Sequence, residues 1–376
     1  MKTKNLLPIL LLAVSMVSCT TYYQVKTQVF PDGSARREVY AFGDSAFMAG
    51  NRAQNPFMFS LDSGWTVTRF DSVRMHNYFG EKEKINVCAS REQASVDLFS
   101  EQVRPKDPMF RPLVTPRETL TKHFRWFYTY YTYNGVYPEL TEKGPVPLKN
   151  YLNESEQKLW FQGDDTAYRG MNGLEMKEVL DRLEGQFVQW YNRSLYELSI
   201  EVMRPFIADL KQGDYLSRLN AAKDSLYQAY RPQNDDPDFS PALVCQLLDT
   251  HFHTDCFSLL YKEKQQEVDK KFDEETRSVE LFGVVIQYEL NMPGQMLSAN
   301  TTFREDDHWV WKVDAYRLLA GEYLLTAESR VPNIWAFILT GLLTLLGIGY
   351  WIKRSEVVSK ILSPQIALIF TDYSCR

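Results

Sequence analysis

Between Asn333 and Ile352 the chain carries no charged side chain, and most of its residues there are Leu, Ile, Gly, Phe or Trp. This stretch constrains the fold more than any other, because about 20 apolar residues in a helix match a hydrocarbon core ~30 Å thick. Trp335 stands near one end, Tyr350 and Trp351 near the other, and Lys353-Arg354 follow at once. Amphipathic rings favour the membrane interface, and flanking basic residues stay on the cytoplasmic side. A single transmembrane helix at 333–352 is therefore expected, with residues 353–376 as a short cytoplasmic tail.

The other end carries a second membrane signal. Lys2 and Lys4 precede an apolar run from Leu6 to Val17 that ends in small residues before Cys19, the layout of a secretory signal. Met16-Val17-Ser18-Cys19 resembles a bacterial lipobox, in which the signal is cut before the cysteine and the new N-terminus is acylated. Residues 1–18 then read as a signal peptide and Cys19 as the lipidation site. An ordinary signal peptide with an incidental Cys19 is the alternative. Both signals agree on one topology: a bacterial inner-membrane protein with its ectodomain in the periplasm and its C-terminus in the cytoplasm.

With 44% hydrophobic and 24% charged residues, the segment between the anchors is expected to be ordered. A net charge of −6 gives no electrostatic basis for binding nucleic acid. Residues 22–29 and 34–42 alternate in polarity around Pro31-Asp32-Gly33, which predicts a β-hairpin. Strands are also expected at 64–70 and 85–89, and residues 121–133 read as one continuous aromatic strand. Helical character begins at Asn153. Apolar residues from Leu174 to Val202 form a long helical stripe, with further helices expected at 205–211, 214–230, 240–251 and 255–275. Strand patterns return at 279–290, 309–316 and 323–328, with a turn at Met292-Pro293-Gly294. The expected fold class is α+β. A β-rich domain is formed from both chain ends, 19–150 and 276–331, with an all-α helical insertion at 151–275 and one C-terminal transmembrane helix.

Cys19, the Pro31-Asp32-Gly33-Ser34 turn, Met292-Pro293-Gly294, Ala299-Asn300, Trp311 and the terminal apolar helix together resemble the LppM-type bacterial lipoprotein domain, over residues 19–42 and 279–354. The chain is also similar in layout to envelope lipoproteins of Bacteroides-like bacteria. The resemblance implies an α+β envelope domain anchored at both ends, and it brings no catalytic residues with it.

Chemistry is sparse. Cys245, His251, His253 and Cys256 gather near Asp249 and Asp255, a soft donor set of the kind that binds zinc, although the spacing matches no paired-knuckle signature. An oxidising periplasm would also permit a Cys245–Cys256 disulfide, and a plain helix–turn–helix junction accounts for the same residues. Trp126, Tyr128 and Tyr130, and the aromatic group at 187–191, are candidates to line a groove for lipid or glycan, or to be core. No Gly-x-Ser-x-Gly, His-Glu-x-x-His, Walker or dinucleotide motif occurs. The residues thus point to a non-enzymatic binding or assembly module of the cell envelope that needs no cofactor. Its partners would be the membrane and an envelope protein, lipid or glycan. An envelope hydrolase, with or without a metal held by the 245–256 cluster, and a structural scaffold for other membrane proteins are the alternatives.

Overall fold

The computed structural model describes residues 21–75, 79, 83–140, 144–210, 214–230, 239–305 and 307–372. The signal segment 1–18, Cys19 and Cys375 lie outside the described residues. The N-terminal half supplies strands β1 (Thr21–Val29), β2 (Ala35–Ala41), β3 (Thr66–Arg74), β4 (Lys84–Gln93), β5 (Arg117–Phe124) and β6 (Tyr128–Tyr137). Beyond the long helices come β7 (Val284–Asn291), β8 (Gln295–Ala299), β9 (Arg304–Glu305), β10 (His308–Asp314) and β11 (Tyr323–Pro332).

The Pro-Asp-Gly turn closes as its residues favour. Gly33 takes a left-handed φ of 102°, which costs glycine nothing. The Asp32 carboxylate accepts from the Ser34 amide at 3.0 Å. The resulting β1–β2 hairpin sits inside a seven-stranded sheet of order β3-β4-β2-β1-β7-β10-β9. Within it β1 pairs in parallel with β7, from Thr21 opposite Val284 to Gln28 opposite Asn291. Parallel neighbours need a crossover; here everything between residues 30 and 283 serves as one. Strands from the two ends of the chain therefore share one sheet.

The second sheet has four strands in the order β5-β6-β11-β8, all paired antiparallel. Its inner face packs on the first sheet, and Tyr23, Phe57, Phe99, Tyr133, Tyr288 and Trp311 belong to one buried cluster. Residues 121–133 are not a continuous strand. Arg125 N–H donates to the Tyr128 carbonyl at 2.8 Å and Tyr128 N–H to the Arg125 carbonyl at 3.1 Å, closing a two-residue hairpin loop at Trp126-Phe127. Nothing in Arg125-Trp-Phe-Tyr128 carries the glycine, asparagine or proline that ordinarily marks such a turn.

Among the described residues, four long helices occupy the middle of the chain: α1 (Gly173–Ala208), α2 (Tyr215–Tyr230), α3 (Pro241–Phe252) and α4 (Cys256–Thr276). Asn172 caps α1 by accepting from the amides of Leu174 and Glu175, while Glu175 reaches back to the Asn172 amide, a reciprocal capping box. The helix continues through Pro205, so the helix expected to start there is the end of α1. Its two halves serve different cores. Leu183 and Trp190 belong to the sheet core; Tyr196, Ile200 and Met203 join Leu219, Val244 and Phe257 in a separate helical core. Residues 277–283 form 3₁₀ turns, which delays the expected strand to Val284. Buried Leu281 and the Phe282 ring, 4.7 Å from Tyr316, hold that link against the body.

Directly after β11 comes α5 (Ile334–Asp372). Its segment Ile334–Ser355 is long and apolar enough to cross a membrane, and almost none of it is covered by the rest of the chain.

Candidate functional site

α1 passes from one core to the other, and a cleft opens beside the crossing point. Phe187, Trp190, Tyr191, Leu195 and Leu198 of α1 face the 275–283 link, and Tyr316 and Leu319 close one side, leaving a cavity of about 210 Å³. These α1 positions recur at helical spacing, so a single face supplies them. The ring wall is continuous: Phe187 lies 5.6 Å from Trp190 and 6.3 Å from Tyr316. Trp190 is held in place by its indole N–H, which donates to the Val146 carbonyl at 2.8 Å. For scale, an engineered apolar cavity of about 150 Å³ accepts benzene.

Polar residues also line this space: Glu275, Thr276 and Ser278 on the link, and Ser194 on α1. Ser194 is 8% exposed and its Oγ has no hydrogen-bond partner among the described residues. A buried hydroxyl without a partner costs about 1–3 kcal/mol. Gly144, at φ 91°, lies directly over it, where an added Cβ would come within 3.6 Å of the serine side chain.

A second, polar depression adjoins the first at Pro145. It is lined by Asn150, Arg193, Glu197, Glu201 and Lys223, with a volume of about 610 Å³. Its charges largely neutralise one another. Arg193 pairs with both Glu197 and Asp224, and Lys223 contacts Glu197 at 2.9 Å. The two depressions lie along neighbouring stripes of α1 and share Pro145, with Ser194 on the apolar side.

The other candidate residues take different places. Asp249 accepts from the amides of Phe257 and Ser258 at 2.9 and 2.8 Å, capping α4, and His253 ends α3 in a left-handed conformation at φ 52°. His251 and His253 are exposed. Cys245 is buried and Cys256 half-buried, both as free thiols. Burial, with smaller contributions from Asp249 and Cys256, pushes the Cys245 thiol up to about 12. Among the described residues no group of three or more His, Cys, Asp or Glu is placed to hold a metal ion. Trp126 stands at the β5–β6 tip. Tyr128 and Tyr130 follow on β6, with the Arg330 guanidinium 4.4 Å from the Tyr128 ring and that of Arg125 5.1 Å from Tyr130. Of the aromatic groups singled out in the sequence, the 187–191 set lines the cleft. Ser194 joins it from the same helical stripe, Phe282 and Tyr316 from segments expected as strands, and Pro145 from a loop, none of them marked as site residues in the sequence.

No protein-family model matches the chain, and no curated protein matches it. Among solved structures, the chain is similar to the NMR structure of the folded domain of the Mycobacterium tuberculosis LppM protein. That likeness has 7% identity and a TM-score of 0.23, and it covers 84% of this chain and 92% of that one. An overlap of that quality does not establish a shared fold.

Proposed function

We propose that this protein is a membrane-tethered binding module of the bacterial envelope, whose α1 cleft holds an amphiphile. The observation that carries this reading is the pairing of an aromatic-walled cavity and a polar depression on adjacent stripes of one helix, with Ser194, whose hydroxyl has no partner among the described residues, in the wall of the apolar cavity. An alkyl or ring portion would fill the apolar part, at about 25 cal/mol per Å² of apolar surface removed from water. Ser194 would donate to its first polar atom. The neighbouring depression, already neutralised internally, suits an uncharged hydrogen-bonding head group better than a bare ion. In this reading α5 spans the inner membrane and the sheets and helices face the periplasm, which agrees with the Lys353-Arg354 flank.

The cleft and the tether lie at opposite ends of β11. Leu319 lines the cleft four residues before β11 begins at Tyr323, and α5 begins two residues after it ends at Pro332. Ten strand residues at ~3.3 Å each separate them by about 30 Å. A ligand would thus be held clear of the bilayer. Native mass spectrometry of the full chain, purified from its own membrane, tests the reading. Wild type should carry a discrete small-molecule mass that is absent from Leu198→Trp, which fills the cavity. An identical bare mass for both would count against ligand binding, and a co-purifying protein in its place would favour an assembly role.

A further inference from the structure

The β5–β6 tip does not end in solvent; it lies along the first turns of α5. The Asn333 amide donates to the Phe127 carbonyl at 2.8 Å, and its side-chain amide donates to the carbonyls of Arg125 and Trp126 at 2.8 and 3.2 Å. Its Oδ1 accepts from the Thr129 hydroxyl at 2.9 Å. Two turns further along, the Trp126 indole N–H donates to Thr340 Oγ1 at 2.8 Å. Between these anchors Ala336 is fully buried, because its methyl is small enough to let the hairpin approach. Asn333, Ala336 and Thr340 therefore form the hairpin-facing stripe at the start of the helix.

Around this contact the aromatic rings are only half covered. Phe124, Trp126 and Phe127 are 55%, 45% and 38% exposed. They interlock with Trp335 and Phe337 of α5: Phe124 stacks on Trp335, Trp126 meets Trp335 edge-on at 5.3 Å, and Phe127 lies 4.7 Å from Phe337. Thr340 is seven residues past Asn333, or about 10 Å along the helix axis at ~1.5 Å per residue. A tip bonded at that level cannot stay above the point where the apolar segment begins. Arg125 and Arg330 sit just behind the tip, each over a tyrosine ring, where long basic side chains reach head-group phosphates while their stems cover apolar surface.

We infer that the β5–β6 hairpin is a membrane wedge. Phe124, Trp126 and Phe127 enter the outward-facing leaflet beside α5, and this second immersed element fixes the tilt of the ectodomain over the bilayer. A helix alone would leave the domain free to swing about residue 333. The inference rests on the reading of α5 as a membrane span.

The test uses the full chain in lipid nanodiscs of phosphatidylethanolamine and phosphatidylglycerol, with a photoreactive benzoylphenylalanine replacing Phe127, Leu343 or Leu174 in three separate proteins. Leu343 reports on α5, and Leu174, exposed on α1, reports on water. Lipid adducts at 127 and 343 but not at 174 are expected, and adding Ala336→Trp, which levers the hairpin off α5, should abolish the adduct at 127 and spare the one at 343. Lipid at 343 alone would overturn the wedge and leave the span standing; lipid at neither would remove both. A protein adduct at 127 in cell membranes, with no lipid adduct in nanodiscs, would also overturn the wedge by making the tip a partner's docking site.

Discussion

The Arg37 guanidinium on β2 donates to both carboxylate oxygens of Glu118 on β5, at 2.9 and 2.6 Å, and so joins the two sheets through a buried ion pair. Glu118 is 1% exposed and Arg37 6%. The hydroxyls of Tyr133 and Tyr288 donate to the same Glu118 oxygen at 2.6 and 3.0 Å, and the Arg37 Nε donates to Thr27 Oγ1 at 3.0 Å. Mutual attraction and these added hydrogen bonds offset the cost of desolvating two charges. Removing one partner leaves the other charged and alone in the core. Glu118→Ala is expected to cost about 3–5 kcal/mol, read as a large drop in the thermal unfolding midpoint, whereas Glu118→Ala with Arg37→Met should recover much of the loss. Equal loss in the single and double variants would show that the pair is not the binding element between the sheets.

Gly294 closes the turn between β7 and β8 at φ 79°, and a Cβ there would overlap the Arg330 carbonyl on β11. Gly33 has a similar left-handed backbone but open space around it. Gly33→Ala should therefore lose only the backbone preference, about 1–2 kcal/mol. Gly294→Ala should lose more, because β8 must also move away from β11. Thermal unfolding of the two variants side by side checks the order.

The two thiols of the α3–α4 junction should separate by reactivity. With its ionisation displaced up to about 12 by burial, Cys245 holds little thiolate at pH 8.5, so its alkylation should run at least about a hundredfold slower than that of an unperturbed thiol. Half-buried Cys256 should be modified first, as peptide mapping after timed iodoacetamide exposure would show. The sign of the pH effect on stability follows. A thiol raised in the folded state stabilises it fully below the unfolded value near pH 8.5 and loses that contribution as pH climbs toward about 12. Cys245→Val should flatten this part of the alkaline decline.

Asn333 couples hairpin to helix through three side-chain hydrogen bonds, each worth about 0.5–1.5 kcal/mol. Asn333→Ala should raise amide exchange at residues 125–128 and leave exchange in β1 and β7 unchanged. Unaltered exchange at the tip would mean that the aromatic contacts with α5 suffice to hold it.

What the sequence made legible follows from local chemistry. Pro31-Asp32-Gly33 announces its hairpin because each residue favours the turn for a separate reason, and the stripe from Leu174 to Val202 reveals α1 because one face must be apolar. Residues 121–133 misled for the converse reason. Arg125-Trp-Phe-Tyr128 has strand formers throughout, and the turn is held instead by Asn333 and α5, more than 200 residues away. Residues 279–283 likewise read as strand, although they form 3₁₀ turns whose Phe282 ring packs on Tyr316. The cleft was half visible. Phe187, Trp190 and Tyr191 stood out as an aromatic group, but the opposite wall reaches them only because β1 and β7 pair across the whole chain.

The most direct test of the binding role is a crystal structure of the full chain purified from its native membrane. Density for an amphiphile is expected between Trp190 and Phe282, with a polar atom within hydrogen-bond distance of Ser194 Oγ. A cleft closed by Phe187, Leu198 and Tyr316 collapsing onto one another, with Ser194 bonded to the protein, would contradict it.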